Sequence, residues 1–192
     1  MLTRQEFAAA MAGVRGIVRL DPKAFAFFNA THEGFWRSFW AAAILTPFTA
    51  VAVVREAIIE PPPSLGRFIA FQIIGYVMGW LLFPLLMVRV ADMLGRRDRY
   101  FHYIVALNWF HLIEIVFWGP LLVLGMADIL PPAIEQVLAL FVMVALLGYE
   151  WFITRHTLKV EGGTAAALVA IDLLLGLVID RLSDTLPTMT FT

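Results

Sequence analysis

Asn108, His111 and Glu114 stand at i, i+3 and i+6 within one long apolar run of the chain. On a helix that spacing spreads them over about 120° of one face. An imidazole three residues from a carboxylate can exchange a proton with it, and both groups can hold a cation. Asp172 lies in another apolar run, about 10 Å in from its near end by the helical rise, level with Asn108 and His111. Gln72, in a third run, sits level with Glu114. Ionisable side chains inside apolar helices are costly, so each is a functional candidate, and His111, Glu114 and Asp172 together suggest an ion or proton path. The depths predict pairs between helices: Asp172 with Asn108 or His111, and Gln72 with Glu114. A plainer reading stays open, in which these side chains hydrogen-bond across helices and fix the packing.

Other chemistries find little support. His111 and Glu114 form an H-x-x-E that lacks the second histidine of H-E-x-x-H. The remaining histidines, His32, His102 and His156, fall near the ends of apolar runs. No two histidines sit at equal depth on facing runs, as bis-histidine haem ligation needs. The chain has no cysteine, which removes disulfides, iron–sulfur clusters and thiolate zinc. Its serines are Ser38, Ser64 and Ser183, and no G-x-S-x-G elbow or phosphate-cradling G-x-x-x-x-G-K-[ST] surrounds them. Acid–base catalysis by Glu114 with Asp172 has no substrate-positioning motif beside it. The expectation is a protein with no catalytic residues, no metal and no cofactor.

The elements that carry these residues follow from composition. Of 192 residues, 61% are hydrophobic and 15% charged, with a mean hydropathy of +0.82. Soluble domains carry about 25% charged residues. The net charge of −1 argues against nucleic-acid binding. The apolar runs are continuous, without the period-two alternation of a transmembrane barrel. They are roughly 20 residues long, as a spanning helix requires. The fold class is therefore all-α: a polytopic transmembrane bundle of five helices with an N-terminal amphipathic interfacial helix.

Five spans are expected at about 38–54, 68–88, 103–125, 133–152 and 165–182. Pro61-Pro62-Pro63, Gly95-Arg96-Arg97-Asp98-Arg99, Pro131-Pro132 and Gly162-Gly163 separate them. Of the 14 Lys and Arg, only Arg55, Arg67 and Arg181 fall on the side opposite the rest. By the positive-inside rule the N-terminus is cytoplasmic and the C-terminus periplasmic, in a bacterial inner membrane. The first stretch is broken by Arg15 and Arg19 and is no secretory signal.

Residues 1–36 form a cytoplasmic interfacial segment and residues 37–192 the transmembrane domain. Phe7, Met11, Val14 and Val18 make one helical stripe. Arg4, Arg15 and Arg19 flank it, and with Arg96, Arg97 and Arg99 they suit an anionic leaflet. Asp21 reads as an N-cap with Pro22 at the first helical position, and Phe25, Phe27 and Phe28 follow as an interfacial aromatic group. The same residues can also cover the cytoplasmic end of the bundle. Gly75 and Gly79 form a G-x-x-x-G, a close-approach face for a neighbouring helix or a second copy. Pro47 and Pro84 free carbonyls that need other donors. Trp109 is too deep for an interfacial belt and is expected inside the bundle.

Five spans, this orientation and this size resemble the Yip family, the Ypt-interacting-protein type, in its bacterial branch. The local likeness lies in Glu33-Gly34-Phe35-Trp36-Arg37-Ser38-Phe39 before the first span and Leu107-Asn108-Trp109 in the third. In eukaryotes the family recruits small GTPases and helps shape or traffic membranes. For a bacterial member the resemblance implies a multi-pass membrane protein. The functional expectation is a non-catalytic scaffold, membrane-organising protein or accessory subunit. Its partners would be membrane lipids and another membrane protein or a second copy. The alternative is a small transporter, channel or proton-relay protein using the polar face of the third span.

Overall fold

The computed structural model describes residues 2–127 and 129–186, and those residues are mostly helical, with no strand among them. In order the helices are α1 (Arg4–Val18), α2 (His32–Ser38), α3 (Trp40–Ile59), α4 (Leu65–Met93), α5 (Tyr100–Met126), α6 (Pro132–Leu158) and α7 (Gly162–Thr185). A 3₁₀ turn, Pro22–Phe27, links α1 to α2. Five segments are long and apolar enough to cross a membrane: α2 with α3, then α4, α5, α6 and α7. This is the architecture of a multi-pass membrane protein.

Local chemistry explains where the helices start. Thr3, Thr31 and Ser64 accept hydrogen bonds from Glu6 N, Gly34 N and Arg67 N, capping α1, α2 and α4. Asp21 caps the 3₁₀ turn through Lys23 N at 2.9 Å, with Pro22 behind it. Pro132 does not merely separate two spans; it is the first residue of α6, where a missing N–H costs nothing. Pro47, Pro84 and Pro120 lie inside helices that run on through them. Side-chain hydroxyls add donors near two of them: Tyr76 and Thr46 donate to Ala42 O at 2.6 and 3.0 Å, and Tyr100 to Pro84 O at 3.0 Å.

The helices outrun the expected spans. α4 has 29 residues, about 43 Å by the helical rise, against a hydrocarbon core of about 30 Å. The surplus turns of α5 and α6 meet the N-terminal unit. From Tyr103 to Phe110 every residue of α5 is buried. A helix buried on all sides is wrapped by neighbours, and here these are α1, α2, α3, α4 and α6. Beyond Ile113 no described residue of α5 is buried. The molecule thus has a densely packed cap end and an open end whose helices turn apolar faces outward, as lipid permits.

The N-terminal unit covers the cap end of the bundle, one of the two poses its sequence left open. α1 docks through Ala10, Gly13 and Ile17, with Phe7, Met11 and Val14 of the stripe packed beside that contact and Val18 exposed. Small residues win the contact because the partner surface comes close: a Cβ on Gly16 would stand 2.6 Å from the Ala24 Cβ. Phe25 and Phe28 turn into the core, and only Phe27 faces outward. Phe25 packs on His102, Phe152 and His156. Glu6 ties the unit together, accepting from Arg37 at 2.8 Å and Asn29 at 3.0 Å. Trp109 is buried as expected, with Phe7 against its ring.

Candidate functional site: a polar crevice among the spans

α5 supplies the centre of the site. His111 Nδ1 lies 2.7 Å from Glu114 Oε1, the contact their i, i+3 spacing allows. Trp80 from α4 sets its ring edge-on to His111, 5.0 Å between centroids. Two hollows meet at this pair. One, of about 190 Å³, is lined by Asn108, His111 and Asp172 on the cap side. The other, of about 330 Å³, is lined by Gln72, Tyr76, His111, Glu114, Asp180 and Ser183 on the open side. Gly79, Trp80, His111, Gly176 and Ile179 border both, so the hollows form one crevice with His111 at its waist.

Asp172 reaches the inner hollow from α7, level with His111 as expected. Beside it stands a carboxylate that the spacing of the polar groups does not point to. Glu150 of α6 is 8% exposed, and its Oε1 is buried with no hydrogen-bond partner. The carboxyl groups of Glu150 and Asp172 are immediate neighbours. Among the described residues no Lys or Arg forms an ion pair with either. His111 and Glu114 are their other charged neighbours. Thr154 Oγ1, which donates to Glu150 O at 2.8 Å, lies 3.4 Å from the buried Tyr103 hydroxyl.

The expected pairs form only in part. Asn108 lines the inner hollow but donates to Ser38 Oγ at 2.8 Å, and Ser38 in turn donates to Phe35 O at 2.7 Å. That bond is structural: it fixes α5 to the start of the first span. Gln72 shares the outer hollow with Glu114 yet donates to Asp184 Oδ1 at 3.3 Å. At the open end Glu56 has Asp180, Asp184 and Glu60 as charged neighbours, so the mouth of the crevice is acidic.

Gly75 and Gly79 also divide. Gly75 is a packing residue, because an added Cβ would collide with the Ser183 side chain of α7. Gly79 is not; a Cβ there would meet nothing within 4 Å, and the residue borders both hollows, whereas Gly75 borders only the outer one. The G-x-x-x-G spacing puts both on one face, but the crevice lies between α4 and its neighbours at Gly79. The candidate lipid-contact residues Arg4, Arg15, Arg19, Arg96 and Arg97 are exposed at the cap end. Arg97 and Arg99 have acidic neighbours, Asp92 at 3.6 Å and Asp98 at 3.3 Å.

Glu150 escaped notice because it stands only two residues inside the expected end of its span, next to Tyr149 and Trp151. α6 continues to Leu158, and that extension carries Glu150 inward. No family model matches the chain, and no curated protein or solved structure matches it either.

Proposed function

We propose that this protein binds protons and passes them through the interior of a bacterial inner-membrane bundle, its cap in the cytoplasm and its open end in the periplasm. The observation that carries the reading is the Glu150–Asp172 pair. Packing contacts match donor to acceptor, as Asn108 and Ser38 do. Ionised carboxylates are acceptors only. Two of them from different helices, side by side with no Lys or Arg between them, repel unless a proton sits between them. The crevice gives that proton a route. Acidic groups at the mouth attract cations, Asp180, Gln72 and Ser183 line the entrance, and Glu114 with His111 forms the waist before the inner hollow. Beyond the acid pair the cap end is densely packed, which supports a path open toward one side.

The test is proton flux into liposomes holding the purified protein, under an imposed pH gradient. Wild type should exceed protein-free liposomes, and Glu150→Gln should lose flux on the order of a hundredfold, the scale of a missing acid–base group. Flux no greater than that of empty liposomes sinks the reading.

The scaffold or accessory reading rests on a different surface. Trp36 is 60% exposed at the cap end, beside a hollow bordered by Phe35, Tyr100 and Phe101. The Yip-type resemblance includes Trp36. If a partner docks there, a complex that co-purifies from native membranes will be lost in Trp36→Ala.

A further inference from the structure

We propose that the open ends of α3, α5 and α6 bind a two-chain phospholipid whose headgroup carries both a phosphate and an amine. The site is separate from the crevice. Arg55 of α3 and Glu135 of α6 approach at 3.5 Å, a loose ion pair with both side chains about one-third exposed. Arg55 Nε is buried and has no hydrogen-bond partner. A guanidinium N–H left unpaired in an apolar setting is costly, and a phosphate oxygen is its best-matched acceptor.

The surroundings suit acyl chains. An apolar hollow of about 810 Å³ opens on one side of the ion pair, walled by Val51, Val54, Ile58 and Met126. A second, of about 430 Å³, opens on the other side, walled by Phe48 and Leu121 among others. Arg55 and Glu135 border both hollows. Val54 and Ile58 are among the most exposed apolar residues of α3, so the larger hollow opens outward. One headgroup seated on the charge pair can therefore send a chain into each.

Headgroup chemistry follows from the two charges. Phosphate suits Arg55, and an ammonium suits Glu135. A purely anionic headgroup would meet the Glu135 carboxylate without compensation. Gly125 of α5 makes the arrangement possible: a Cβ there would stand 2.6 Å from Glu135 Oε1 and 2.9 Å from Arg55 Nη2.

The experiment is native mass spectrometry of the delipidated full chain against an equimolar mixture of phosphatidylethanolamine and phosphatidylglycerol. Wild type should retain the ethanolamine lipid in preference by about tenfold, the factor of one charge-assisted hydrogen bond. Glu135→Gln should bring the preference near unity, whereas Arg55→Lys, which keeps the charge but removes Nε, should weaken retention of both lipids, because both carry the phosphate. Equal retention of both lipids by wild type overturns the proposal and leaves only bulk solvation by lipid. Preference for the glycerol lipid overturns it in favour of simple anion binding. Because the wild-type competition decides by itself, a variant that fails to fold does not shield the proposal.

Discussion

Asn108 and Glu150 are both buried polar side chains on packed helices, yet they do opposite things. Asn108 is satisfied, donating to Ser38 Oγ at 2.8 Å. Removing it in Asn108→Ala leaves the Ser38 hydroxyl without its donor and should cost about 1 kcal/mol. Thermal unfolding in detergent measures that loss, and proton flux should survive it. Glu150 is unsatisfied at Oε1 and faces Asp172. Carbodiimides attack protonated carboxyl groups in apolar surroundings. They should therefore modify Glu150 or Asp172 ahead of the more exposed Glu56 and Glu60, as peptide mapping can show. Modification confined to the exposed acids would count against a held proton. Sequence spacing revealed His111 with Glu114 because both partners ride one helix, where geometry is set by 3.6 residues per turn. It did not reveal that Asn108 would choose Ser38, or Asp172 choose Glu150. Those choices depend on how each helix is rotated, which no single run encodes.

Between elements, the contact of α4 with α7 turns on one glycine. Gly75→Val should force the helices apart at Ser183 and destabilise the bundle by about 1–3 kcal/mol, the scale of overpacking. Gly79→Ala should be accommodated, since its Cβ has open space around it. Equal loss of thermal stability in both variants would contradict this assignment. The five spans were legible from run length and the placement of Lys and Arg, because a lipid core demands about 20 apolar residues per helix. Their ends were not. The surplus turns of α5 and α6 set His102 and His156, both half-buried, against Phe25 of the N-terminal unit rather than in lipid. Hydropathy cannot distinguish those two kinds of cover. For the same reason the aromatic group after Pro22 reads as interfacial, whereas Phe25 and Phe28 complete the cap core.

Across the whole molecule, packing is asymmetric from one end to the other. The cap end is tightly filled around Tyr103 to Phe110, while the polar crevice opens toward the acidic mouth formed by Glu56, Asp180 and Asp184. Such a body can admit protons from the open side and hold them at Glu150 and Asp172, with the cap barring a continuous water path. Loosening the cap should then raise flux. Gly16→Val, which pushes α1 off Ala24, is expected to increase proton leak several-fold over wild type in liposomes, on the scale of a 1 kcal/mol change in cap docking. The most direct measurement of the central claim sets two variants side by side: proton flux and thermal unfolding of Glu150→Gln and Asn108→Ala, each reconstituted as the full chain. Glu150→Gln should lose flux while remaining folded, and Asn108→Ala should lose stability while conducting. Full flux in Glu150→Gln would contradict it and return the buried acids to the role of packing residues.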